Sequence, residues 1–118
     1  VTVDEKEDYD ADDMKVLRDG SRLLRIGKAL EPGEYNAESI GLLAFRGDGG
    51  RLFIDQVERM MRTSEGTRRW YLRAIDALAT SGIDVQTVSI EGEAWQEVDF
   101  PEDVEKAAAL TARWASGR

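Results

Sequence analysis

Apolar residues recur along this chain in two rhythms, one short and extended, the other helical. Val1-Thr2-Val3 runs into Asp4 like the end of a strand. Met14 to Leu17 and Leu23 to Ile26 flank Asp19-Gly20-Ser21, and Asp-Gly between two such runs predicts a β-hairpin. Gly27-Lys28-Ala29-Leu30 leads to a turn at Pro32-Gly33. Ser39 to Phe45 is almost continuously apolar and of strand length, the pattern of a central strand buried on both faces.

The rhythm then changes. After Gly47-Asp48-Gly49-Gly50, the residues Phe53, Val57, Met60 and Met61 follow the spacing of one helical face and predict a helix over 50–63. Tyr71, Ile75, Leu78 and Ala79 repeat that spacing in a second helix ending at Gly82. Residues 85–90 read as a β-branched strand, Gly92 turns the chain, and residues 94–99 read as a further strand. Pro101 opens a third helix, with Val104, Ala107, Ala108, Thr111 and Ala115 as an alanine-rich packing face. The expected class is α/β with a mixed sheet, one hairpin and about three helices, spanning 1–118 as a single domain or half-domain.

Charge narrows the chemistry. The net charge of −8 opposes nonspecific binding to nucleic acid or anionic membranes, and no apolar run approaches the length of a bilayer span. No nucleic-acid or membrane partner is expected, and a cytoplasmic location is. Seven of the first 13 residues are acidic against Lys6 alone, which reads as a solvated segment. The chain has no Cys and no His, which excludes disulfides, zinc–thiolate sites and imidazole acid–base chemistry. What remains is Asp, Glu, Lys, Arg, Tyr and Ser, with a hard cation where one is needed.

The densest chemistry lies in Gly92 to Asp103. On an extended strand Glu97 and Asp99 share one face, with Cα atoms roughly 6.5 to 7 Å apart. Such a pair suits Mg²⁺, which takes one or two carboxylates and completes its shell with water and substrate phosphate. It equally suits a solvated strand face, with Asp99 capping the helix that Pro101 begins. Lys28, directly after Gly27, sits where an ammonium could meet a phosphate. Trp70-Tyr71 and Trp95 could stack on a ligand or simply pack, and packing suits Tyr71 as the start of the helical stripe. Glu38 could read an amine or hydroxyl, and Arg68 and Arg69 could clamp a phosphate or decorate a helix start.

In order, Tyr9-Asp10-Ala11-Asp12-Asp13-Met14-Lys15-Val16, Ile26-Gly27-Lys28-Ala29-Leu30, Glu38-Ser39-Ile40-Gly41-Leu42, Trp70-Tyr71-Leu72-Arg73-Ala74-Ile75 and Trp95-Gln96-Glu97-Val98-Asp99-Phe100-Pro101-Glu102-Asp103 span nearly the whole chain. Together they resemble the C-terminal half of the nucleotidyltransferases that activate sugar phosphates and small phospho-compounds, including phosphocholine and 2-aminoethylphosphonate cytidylyltransferases. The resemblance implies a Rossmann-like nucleotidyltransferase fold. It also implies that Asp99 binds catalytic Mg²⁺, with Glu97 orienting it or a water, and that Lys28 contacts substrate phosphate. Glu38, Tyr71 and Trp95 would line the acceptor pocket. Phe100 departs from the family, which often has Thr before the Pro, so the hydroxyl cap is absent.

The implied reaction transfers a nucleotidyl group, CTP being the favoured donor, to a small phosphate or phosphonate acceptor and releases pyrophosphate. The Gly-rich nucleotide loop and first metal Asp of that family belong to an N-terminal half with no counterpart here. The 118 residues alone are therefore expected to be inactive without that half, and a homodimer is a further expectation. The competing reading is a noncatalytic acidic α/β module that binds a protein through exposed aromatics.

Overall fold

The computed structural model describes residues 1–117. Five strands, β1 (Thr2–Asp4), β2 (Lys15–Asp19), β3 (Arg22–Gly27), β4 (Ala37–Ser39) and β5 (Val88–Ser89), form one mixed sheet in the order β3-β2-β4-β1-β5. Among the described residues only the β1–β5 pairing is parallel. Three helices complete the α/β fold: α1 (Gly49–Met61), α2 (Leu72–Thr80) and α3 (Pro101–Ser116). No helix among the described residues is long and apolar enough to cross a membrane.

The hairpin forms where Asp-Gly predicts it. Asp19 pairs with Arg22 around Gly20-Ser21, and Gly20 takes a φ of +58°, which a two-residue hairpin turn needs and Gly adopts without strain. The sheet is curled. Just before β5, Leu23 N–H donates to the Val85 carbonyl and Thr87 N–H to that of Ser21, so the chain touches β3 before it pairs with β1.

One face of the sheet carries the core. Val3, Val16, Leu23, Ile26 and Ala37 pack with Leu72 and Ile75 of α2, and all seven are buried. α2 lies on β3, and α1 packs on α2 without a fully buried residue of its own.

Three expectations need correction. The apolar run from Ser39 to Phe45 is not a doubly buried strand. The central strand is Ala37–Ser39, after which Gly41 takes a φ of +82° and leads the chain off the ladder, leaving Leu42 61% exposed. Only Thr2 N–H to the Leu42 carbonyl and Ile40 N–H to the Thr2 carbonyl still follow β1. Residues 94–99 form no strand, so the strand geometry expected for Glu97 and Asp99 does not apply. The expected packing face of α3 is largely uncovered: Val104 is exposed, as are Ala108, Thr111 and Ala115, and Leu110 is the helix's buried residue.

Candidate functional site

The site begins with the register of the sheet. Glu38 on β4 stands opposite Asp4 on β1 and opposite Lys15 on β2, giving one polar row across three strands. Alternation sends their neighbours Val3, Val16 and Ala37 to the core, so the row belongs to the other face.

The acidic segment expected to be merely solvated folds over this row. Asp10 Oδ1 accepts the backbone N–H groups of Asp12 (2.8 Å) and Asp13 (3.1 Å), while Asp13 Oδ2 accepts that of Asp10 (2.8 Å). Lys15, only 6% exposed, holds the turn from below. Its ammonium donates to the carbonyls of Asp10 at 2.8 Å, Asp13 at 3.4 Å and Lys28 at 3.0 Å. A buried ammonium satisfied by three carbonyls ties the acidic turn to the end of β3.

Above Lys15 lies a second cation. Lys6 Nζ bridges Asp13 at 2.7 Å and Glu38 at 3.2 Å, 5.5 Å from the centre of the Tyr9 ring. Tyr9 meets Tyr35 in a tilted pair at 4.8 Å. Burial pushes the Glu38 carboxyl up to about 7, with the Asp13 charge adding to the rise and Lys6 opposing it. Burial would also raise Asp13, but the hydrogen bonds from Lys6 and the Asp10 N–H hold it below its ordinary range. Lys6 follows the same logic with the signs reversed: burial lowers it, and Asp13 and Glu38 more than restore it. Glu38 is thus a carboxyl poised between its two states near neutrality.

Residues 93–99, ahead of α3, form neither helix nor strand and reach this face through Trp95. Trp95 donates its indole N–H to Asp4 Oδ2 at 2.6 Å. Two residues on, Glu97 is raised, first by partial burial and then by the Asp99 charge, while Lys28 pulls it back. Lys28 in turn lies 4.5 Å from the centre of the Trp70 ring and 3.8 Å from Asp12.

The cap at α3 is not Asp99. Asp103 accepts the N–H groups of Asp99 (3.2 Å) and Phe100 (3.1 Å), half of a capping box, and Lys106 with these two N–H groups holds its carboxyl below the ordinary range. Among the described residues the Asp99 carboxylate has neither a hydrogen bond nor an ion pair, so it is free to ligate. No three carboxylates among the described residues close into a metal-binding group. An unpartnered Asp99 with Glu97 beside it nevertheless fits a cation that needs one or two carboxylates and takes its remaining oxygens from phosphate and water.

Glu97 is thus charge-coupled to Asp99, Lys28 and Asp13, and Asp13 reaches Glu38 through Lys6, while Lys28 itself stands past the end of β3 between Asp12 and Trp70. Tyr71 does not join them. It caps α2 from outside the helix, 48% exposed, and the buried stripe starts at Leu72. Trp70 takes the place beside Lys28 instead. Sequence reasoning also missed Asp13, Lys15 and Lys6. The Asp10-x-Asp12-Asp13 spacing, suited to a side-chain-to-backbone turn, was the available signal.

No protein-family model, curated protein or solved structure matches the chain.

Proposed function

We propose that this chain is the acceptor-binding and metal-completing part of a Mg²⁺-dependent nucleotidyltransferase with a Rossmann-like fold, acting with a nucleotide-binding half. It places a small phosphate or phosphonate acceptor for attack on the α-phosphorus of CTP, and pyrophosphate leaves. The observation that carries the reading is that Glu97 is charge-coupled to Asp99 and Lys28, while Trp95 and Glu38 both stand beside Asp4, although the five span 72 positions. These are the residues that the resemblance nominates for acceptor and metal, Tyr71 excepted.

Each has work suited to its chemistry. Lys28 presents an ammonium to the acceptor phosphate and neutralises part of its charge. Glu38, buried and bridged to Lys6, offers an acceptor's amine or hydroxyl a carboxylate when that group takes the place of the Lys6 ammonium. Trp95 fixes the extended segment on Asp4, which holds Glu97 and Asp99 in place. Asp99 would hold Mg²⁺ and Glu97 would orient its water, and the ion would supply charge stabilisation to the phosphate oxygens. No protein nucleophile is required, in keeping with a chain that lacks Cys and His. Alignment of acceptor and nucleotide carries the remaining catalytic burden.

The test is pyrophosphate release by the chain combined with a nucleotide-binding half. CTP is compared with the other nucleoside triphosphates across phosphocholine, 2-aminoethylphosphonate and sugar phosphates. Release with CTP and an aminated acceptor supports the reading. No release with any pair, alongside capture of a protein through the exposed aromatics, supports the noncatalytic module instead.

A further inference from the structure

A cleft of about 390 Å³ opens between the end of β3 and the start of α2, and its wall gathers four basic side chains of a chain of charge −8. Arg25, Lys28, Arg69 and Arg73 line it together with Trp70, against the acids Glu34 and Asp76. Its volume falls in the range of small-ligand pockets.

Two of the guanidinium groups are fixed by a buried carboxylate. Asp76, 1% exposed, accepts Arg25 Nε at 2.9 Å, Arg73 at 2.6 Å and the Ile26 backbone N–H at 2.9 Å. Each guanidinium has five N–H donors and spends at most two of them on Asp76. Both side chains remain about half exposed, so donors held in a set orientation face the cleft and solvent. Glu34 acts on Arg25 as well, and Lys28 and Arg69 are paired with acids outside the wall, Asp12 at 3.8 Å and the exposed Glu65 at 2.6 Å, so formal charge around the cleft is balanced and what the wall offers an anion is unspent N–H donors. Lys28 rests over the Trp70 ring, which is 64% exposed and offers a flat apolar floor. Fixed guanidinium donors and an exposed ring suit an oxyanion attached to an organic group.

We propose that this cleft binds the phosphate or phosphonate group of a small organic molecule, with Lys28, Arg69 and Arg73 donating to its oxygens and Trp70 beneath its organic part. The inference rests on the reading of Lys28 as facing the acceptor, and it names the clamp for the acceptor's anionic end. Asp76 acts as a positioning residue: it holds Arg25 and Arg73 and touches no ligand. The cleft requires neither nucleotide nor metal to bind.

Calorimetry on the 118-residue chain at low salt tests this with 2-aminoethyl phosphate, inorganic phosphate and ethanolamine. The ester is expected to bind, inorganic phosphate more weakly, and ethanolamine not at all. Lys28→Met with Arg69→Gln leaves the Asp76 contacts intact and is expected to weaken the ester by about tenfold or more at an unchanged melting temperature. Trp70→Ala is expected to bring the ester down to the level of inorganic phosphate. Absence of ester binding at millimolar concentration, full binding by the double variant, or equal binding of ethanolamine overturns the site. Inorganic phosphate binding as tightly as the ester overturns the role of Trp70. Because no turnover is read, failure of the clamp and failure of nucleotidyl transfer are separate results.

Discussion

Trp95 donates its indole N–H to Asp4 Oδ2 at 2.6 Å, joining residues 91 positions apart. That bond fastens the irregular segment ahead of α3 to the end of β1, where Asp4 stands opposite Glu38 in the polar row. Trp95→Phe keeps the ring and removes the donor. It is expected to cost about 1 kcal/mol in urea unfolding, at the low end for a charged acceptor because Asp4 is only half-buried. An unchanged unfolding midpoint would show that the segment is held by something else.

Asp76 anchors α2 to β3 through Arg25, Arg73 and the Ile26 N–H. Asp76→Ala strands a buried N–H and releases two guanidinium groups. Breaking a fully buried pair costs about 3–5 kcal/mol, and the half-exposed arginines bring this down to about 2–3 kcal/mol. Arg25→Ala leaves Arg73 and Ile26 on the carboxylate, so it is expected to cost no more than about 1 kcal/mol in the same denaturation experiment.

Glu38 makes stability depend on pH. A carboxyl that holds its proton more tightly in the folded chain than in the unfolded one gives the folded state more bound protons. Stability therefore falls as pH rises from 4.5 to about 7. Glu97, also raised, acts in the same sense, whereas Asp13 is lowered and its contribution is lost only at more acid pH. Glu38→Gln retains an acceptor for Lys6 and removes the titration. Thermal unfolding at pH 8 should show the variant more stable by about 2 kcal/mol, with the difference shrinking toward pH 5. A constant difference across that range would contradict this.

Gly66 is buried where the short turn after α1 meets the helix end. A Cβ there would lie 2.0 Å from the Met60 carbonyl oxygen and 2.9 Å from the Met61 Cα. Both are backbone atoms, so no side chain can swing aside. Gly66→Ala is expected to destabilise by about 2–3 kcal/mol in urea titration, whereas Gly92→Ala meets only an unfavourable φ of +87° and should cost less.

The hairpin and the first two helices were legible because their signals are local: Asp-Gly for the turn, four apolar residues at helical spacing for each helix. The Ser39–Phe45 run misled because hydrophobicity reports burial and not conformation. Gly41 leaves the ladder, and Leu43 packs on the core from a loop. Residues 94–99 alternate like a strand but pair with none, and a side-chain bond, Trp95 to Asp4, holds the segment instead of a ladder. Lys28, Glu38 and Glu97 could be nominated from their settings, but the Lys6 bridge and the Arg25–Asp76–Arg73 clamp are tertiary. Their partners lie up to 51 positions apart, beyond any local pattern.

Asp99 bears most directly on the proposed nucleotidyl transfer, because Asp103 already caps α3 and the Asp99 carboxylate has no hydrogen bond or ion pair among the described residues. The decisive measurement is Mg²⁺-dependent pyrophosphate release from CTP by the chain joined with a nucleotide-binding half, comparing wild type with Asp99→Asn. The account predicts a fall of about a thousandfold in turnover with an unchanged melting temperature, on the order of one lost charge-stabilising group. Equal turnover in the two proteins would contradict it.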